Sequence, residues 1–161
     1  MSVRKNERGP QKPLTVLTKA TDLASHTITV CMSENNFPKK YRWILTNRIV
    51  DAAVAIPCCI RQANRLNPKT SSIDYARRRA LQDEADGYCD ELFTLLETAK
   101  KTMPIGSDRI AYWTGLIIEV QGLLENWKAS DRRRFGSAGS IDDEVVQIKD
   151  EIQLLKAQLC S

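Results

Sequence analysis

The sequence predicts an all-α protein: an antiparallel, up-down four-helix bundle followed by a C-terminal heptad helix. Apolar residues recur three and four positions apart through four long stretches, the spacing of one face of a helix. The breaks between these stretches are short, and the 161 residues include only seven glycines and six prolines. The last twenty-one residues repeat apolar side chains at spacings of 4, 3, 4, 3 and 4, which marks a helix that packs on another helix.

The first helix is predicted over Leu14 to Asn35, with Leu17, Ala20, Ala24, Thr27, Ile28 and Cys31 on its apolar face. Pro13 is tolerated at its first turn, and Asn35-Asn36 ends it. The second starts at Pro38 and runs to Asn67 through Tyr41, Ile44, Leu45, Ile49, Ala52, Ala53, Ile56, Ile60 and Ala63. Pro57 lies inside it and is expected to bend it or end a regular run, because the ring lacks a donor and crowds the preceding turn.

The third, Ser72 to Lys101, carries Ile73, Ala76, Ala80, Leu81, Ala85, Tyr88, Leu92, Leu95, Leu96 and Ala99, with Ser72 as cap and Asp74 in the first turn. The fourth runs from Ser107 to about Ser130 with Ile110, Ala111, Thr114, Ile117, Ile118, Gln121, Leu124 and Trp127 inward. Short connections between four such helices favour an antiparallel bundle, and helices of ~30 residues make it a rod ~45 Å long. The expected organisation is a disordered basic segment over 1–13, the bundle over 14–130, a basic, flexible linker over 131–140 and a coiled-coil helix over 141–161.

In that last helix Val145, Ile152 and Leu159 take a positions, and Ile141, Ile148 and Leu155 take d positions. Glu144 with Lys149, and Glu151 with Lys156, then stand in the g-to-e relation of a parallel seam. Exposed pairs of this kind contribute ~0.2–1 kcal/mol each, so they select a register without holding an oligomer together. Isoleucine at both a and d argues against a plain dimer, and three heptads leave the subunit number open. Gly136, Ser137, Ala138, Gly139 and Ser140 form a joint that also permits the helix to fold back on its own body.

Charge is unevenly placed. Pro38 to Leu66 holds Lys39, Lys40, Arg42, Arg48, Arg61 and Arg65 against one acid, Asp51. The first thirteen residues add Arg4, Lys5, Arg8 and Lys12 against Glu7, and the run after the fourth helix adds Arg132, Arg133 and Arg134. Residues 71–100 are net acidic, with Arg77, Arg78 and Arg79 as the exception. Such patches suit a phosphate backbone, and repetition in an oligomer strengthens them. The two arginine runs also have local readings, as complements to a helix C-terminus and as partners of Asp74, Asp83 and Glu84. No base-reading motif or ordered aromatic platform is visible, so contact should favour backbone and RNA shape over base identity.

Catalysis has little support. His26 is the one histidine and sits near an apolar face, where a packing role is expected. Asp83, Glu84, Asp86, Asp90 and Glu91 read as a solvated helix face rather than a metal site. The odd set Cys31, Cys58, Cys59, Cys89 and Cys160 lacks zinc or redox spacing and reads as buried structural thiols, with Cys160 near the terminus. No nucleotide loop or nucleophile motif occurs, and neither an enzyme nor a cofactor is expected. No apolar run approaches the ~20 residues of a bilayer span, and the polar start lacks a signal-peptide core, so a cytoplasmic, membrane-free protein is expected.

Two stretches carry a family resemblance: Asn36-Phe37-Pro38-Lys39-Lys40-Tyr41-Arg42-Trp43, and Leu116-Ile117-Ile118-Glu119-Val120-Gln121-Gly122-Leu123-Leu124-Glu125-Asn126-Trp127. Over roughly Leu14 to Ala129 the chain resembles the accessory variability determinant (Avd-like) proteins of diversity-generating retroelements. It is similar also to the wider four-helix-bundle group that includes proteins encoded within ribosomal-RNA intervening sequences. The resemblance implies a homopentamer that binds a reverse transcriptase and its structured template RNA and supports mutagenic cDNA synthesis. It places Lys39, Lys40, Arg42 and Arg48 on the RNA or polymerase surface, with Arg61, Arg65 and Arg77 to Arg79 as further candidates. Glu125-Asn126, Pro57 and the heptad tail depart from the family pattern. Two other readings stay open: a structural adaptor without nucleic acid, and a small regulator that binds DNA.

Overall fold

The computed structural model describes residues 14–136 and 141–159, with side chains of the last helix from Ile148 onward. Among the described residues the protein is all-α, with five α-helices and no strand. They are α1 (Thr15–Cys31), α2 (Asn47–Arg65), α3 (Ser72–Thr102), α4 (Ser107–Phe135) and α5 (Ile141–Leu159). In the first four, each helix packs on the next and α4 closes against α1, so their apolar faces enclose one core. The expected basic segment over 1–13, most of the expected joint and Cys160 lie outside the described residues.

The inward face of α1 is Val16, Ala20, Leu23, Ala24, Thr27 and Val30, which leaves Ile28 exposed. The helix stops at Cys31 instead of Asn35 because the chain turns at once: the Phe37 amide donates to the Ser33 carbonyl at 2.8 Å, and Asn36 donates to Ser33 Oγ at 3.2 Å. That turn drops Phe37 into the core, 6.0 Å from the Trp113 ring.

The expected single α-helix from Pro38 is instead a 3-10 turn (Lys39–Tyr41), a π-helical turn (Arg42–Thr46) and then α2. Leu45, Thr46 and Ile49 face inward, while Ile44, expected in the core, stands about 140° around the helix from Ile49 and is 71% exposed. Pro57 does not end α2, which runs on to Arg65. Burial of Ala53, Ile56, Cys59 and Ile60 on both sides of the proline holds one run despite the lost backbone bond. By length and composition alone Lys39–Arg65, 27 residues with mean hydropathy 1.4 over its most apolar part, is long and apolar enough to cross a bilayer. Its inward residues Ile49, Ala52, Ile56, Ile60 and Ala63 are committed to the bundle core.

The cap of α3 is Ser71, not Ser72: the Asp74 amide donates to Ser71 Oγ at 3.0 Å, and Ser71 has the extended backbone of a cap. Ile73 and Ala80 point outward, and Arg78 and Gln82 take the inward positions at that end. The face of α4 is Ile110, Trp113, Ile117, Val120, Leu124, Trp127 and Asp131, leaving the expected core residue Ile118 exposed. α4 continues five residues past Ser130, so Arg132, Arg133 and Arg134 occupy its last turn rather than a linker.

Trp113 is fully buried, and its indole N–H donates to Thr27 Oγ1 at 2.9 Å, while the Thr27 hydroxyl donates to the Leu23 carbonyl at 2.8 Å. His26 stands edge-on to Tyr112 and Trp113, and burial, aided by the Arg109 charge, lowers its pKa. It is a packing residue of the α1–α4 contact.

The thiols divide by burial. Cys59 and Cys89 are buried and Cys31 is half-buried, whereas Cys58, expected inside, is exposed because it sits on the outer face of α2. Burial pushes the Cys31 and Cys89 thiols up to about 12 and that of Cys59 up to about 11, so none supplies thiolate at neutral pH. Alkylation of the native protein near pH 8 is therefore expected at Cys58 ahead of those three. Mass-spectrometric mapping that found Cys89 modified as early as Cys58 would contradict this packing.

Candidate nucleic-acid interface

The expected basic residues fall into two clusters at opposite ends of the bundle. The first surrounds the start of the α2 region. Lys39 is exposed and 3.2 Å from Glu34, Lys40 lies 5.1 Å from the Tyr41 ring, and Arg48 reaches Glu91 at 3.8 Å. Arg42 borders a groove of about 370 Å³ between α1 and the π turn, lined by Ile28, Met32, Phe37 and Val50. The Thr46 hydroxyl is buried at this groove without a hydrogen-bond partner among the described residues.

Beside these cations stand residues that the periodicity concealed. Trp43 is 83% exposed and Met32 76%, and with Ile28 and Ile44 they make this end both basic and apolar. Reading the register backward from Ile49 and Ala52 would have placed Trp43 outside.

The second cluster lies where α2 ends, α3 begins and α4 ends. Arg61, Arg65, Arg77, Arg132, Arg133 and Arg134 are exposed and Arg79 is half-buried. None of the seven forms an ion pair among the described residues; Arg134 donates to Ser130 Oγ at 2.7 Å and lies 5.7 Å from the Phe135 ring. Because α2 has 19 residues, about 28 Å separates the two ends. One rigid phosphate run does not need to touch both.

Arg78 does not belong to this surface, which corrects its place among the candidates. Its Nε donates to Asp131 Oδ2 at 2.6 Å, its Nη2 to Asp131 Oδ1 at 3.1 Å, and its Nη1 to the Leu66 carbonyl at 3.2 Å. Gln82 donates to the same carboxylate at 2.8 Å, and the guanidinium carbon sits 4.8 Å from the Trp127 ring centroid. With Nε, Nη1 and Nη2 each donating inward, Arg78 ties three chain segments together. The neighbouring Arg77 and Arg79 stay available because helical geometry turns them 100° to either side.

Asp83, Asp86, Asp90 and Glu91 of α3 have partners of their own. Lys128 meets Asp83 at 2.9 Å, Asp86 at 3.5 Å and Glu125 at 2.8 Å. Burial works against its charge, but hydrogen bonds to Glu125 and Asp83 and the charges of Asp83 and Asp86 outweigh that and raise its pKa. Gln121 donates to Asp90 at 2.9 Å. Among the described residues no group of three His, Cys, Asp or Glu is placed to hold a metal.

The α5 seam is helical as expected, and its described members Ile148, Ile152, Leu155 and Leu159 are exposed. The side chains of Ile141 and Val145 lie outside the described residues.

No family model matches the chain, and no curated protein matches it. Among solved structures it is similar to the crystal structure of a protein of unknown function from the S23 ribosomal protein family of Bacteroides thetaiotaomicron. The TM-score is 0.59 at 16% identity, covering 71% of this chain and 96% of that one. At that identity the likeness is one of fold.

Proposed function

We propose that the protein is a non-catalytic, oligomeric four-helix-bundle accessory factor. In this reading it binds a reverse transcriptase and its structured template RNA and supports mutagenic cDNA synthesis in a diversity-generating retroelement. The observation that carries the RNA contact is the cluster of Arg61, Arg65, Arg77, Arg79, Arg132, Arg133 and Arg134, seven cations from three helices without a carboxylate partner among the described residues. Such a surface recognises phosphate spacing and leaves base identity to others. The sequence resemblance at Asn36–Trp43 and Leu116–Trp127 supplies the polymerase and the element, and the fold likeness to an S23-family protein is compatible with it. The pentamer rests on that resemblance, and a membrane-free, cytoplasmic setting is part of the same proposal.

The expected result is that the full chain binds structured RNA with a steep salt dependence. Changing Arg61, Arg65 and Arg77 together to Gln should reduce the log–log salt slope by roughly 2–3, since each lost phosphate contact removes about 0.7–0.9. Fluorescence anisotropy across a salt series reads both quantities, and co-purification with a retroelement reverse transcriptase tests the partner. Unchanged affinity and slope would remove the RNA role from this end of the bundle.

The adaptor reading is favoured by the other end, where Ile28, Met32, Trp43 and Ile44 expose an apolar patch beside Arg42. Under it, Trp43→Ala changes the oligomer mass while RNA retention is absent in the parent chain too.

A further inference from the structure

The described seam residues Ile148, Ile152, Leu155 and Leu159 stay exposed although α5 touches α3. An apolar stripe of this kind in water calls for a covering helix. The flanking charges specify which helix and in what direction. Glu144 and Glu151 hold g positions, and Lys149 and Lys156 hold e positions. In a parallel pair g faces e of the following heptad, so these contacts are Glu to Lys. In an antiparallel pair g faces g and e faces e, which sets Glu151 against Glu151 and Lys149 against Lys149 and leaves only Asp142 with Lys156 attractive. A copy of α5 running in the same direction matches both the stripe and the charges.

We propose that α5 joins copies of itself in parallel and in register, and that this gathers Arg132, Arg133 and Arg134 of the joined chains into one polyanion-binding collar at the start of the coil. Six residue steps separate Phe135 from Ile141, a chain reach of at most ~20 Å. Parallel helices begin together, so the end of each α4 is held within about that reach of the first seam residue and the triplets gather around one axis. An antiparallel pair would set the triplets about a helix length apart, about 28 Å for 19 residues. No single chain can assemble the collar, and its cations act on several phosphates at once. The identity of the ligand as RNA rests on the function proposed above; the parallel coil does not.

The direction is tested by oxidative cross-linking of the full chain carrying Cys58→Ser and Cys160→Ser. Leu155→Cys, at a d position, should give a covalent dimer quickly under mild oxidation, and Leu154→Cys, off the seam, slowly. Equal rates, or faster reaction at 154, would overturn the parallel coil, because uncoupled tails favour the more exposed site. The collar is tested with a short RNA duplex and heparin as probes. Arg132→Gln, Arg133→Gln and Arg134→Gln together, or Ile152→Asp alone, should weaken both complexes roughly tenfold or more near 0.1 M salt and flatten the salt slope. If cross-linking succeeds but these variants bind as the parent does, the collar is overturned and the Arg61, Arg65 and Arg77 surface keeps the RNA role. If heparin binds through the triplet and RNA does not bind at all, the collar holds and the RNA function falls.

Discussion

Asp131→Ala is expected to destabilise the protein by about 3–5 kcal/mol, the cost of leaving a buried guanidinium without its carboxylate. Asp131 is 2% exposed as a side chain and Arg78 11%, so neither group can regain water without opening the contact between α3 and α4. The bidentate geometry makes the loss larger than for a surface pair, since two charge-assisted bonds and the Gln82 bond go together. For a chain of this size the shift corresponds to roughly 6–20 °C in Tm. The last turn of α4, with Arg132 to Arg134, should fray before the rest and show early amide exchange. Replacing both partners, Arg78→Met with Asp131→Leu, should recover most of the loss, because the penalty comes from an uncompensated charge and not from a missing attraction. Thermal unfolding of the two variants decides this, and equal destabilisation by both would show that packing around Trp127 matters more than charge.

Trp113→Ala should cost a similar ~3–5 kcal/mol for a different reason. Trp113 is completely buried where α1, α4 and Phe37 meet, so truncation leaves a void that these neighbours only partly fill. It also strands the Thr27 hydroxyl, although that group keeps its bond to the Leu23 carbonyl. Thr27→Val gives the complementary result: the volume stays close, the indole N–H loses its acceptor, and about 1–3 kcal/mol is expected. Chemical denaturation of both variants separates cavity from hydrogen bond. A smaller loss for Trp113→Ala than for Thr27→Val would mean that the α1–α4 contact collapses readily onto the missing ring. Since Phe37 is held in the same cluster, Trp113→Ala should also loosen the turn that presents Lys39, Lys40 and Arg42.

The positions of the helices are legible in the spacing, and Ala20, Ile49, Ile56, Leu92, Ile117 and Leu124 are buried as their spacing predicts. The faces are less secure: Ile28, Ile44 and Ile118 fit the same pattern and are exposed. A stripe of residues three and four apart is about 100° wide, and sequence does not say which edge of it meets the neighbour. Ile44 stands five residues before Ile49, about 140° around the helix from it, and so falls off the buried face. The end of α4 was illegible for another reason. Asp131 followed by three arginines reads as a polar terminus, yet that aspartate is the acceptor that draws the last turn onto α3.

The candidate surface divides in the same way. Basic composition named the twelve positions, and eleven of them remain on the exterior or half-exposed. Their division between two ends, the removal of Arg78 and the apolar company of Trp43 follow from where the helices start and stop. By itself the sequence determined the all-helical class, the placement of the helices and the heptad of α5, because periodicity is written within a few turns of one helix. Tertiary structure alone decided which arginine is neutralised and which are free to meet an anion, because Arg78 and its carboxylate stand 53 residues apart and become partners only when α4 packs against α3.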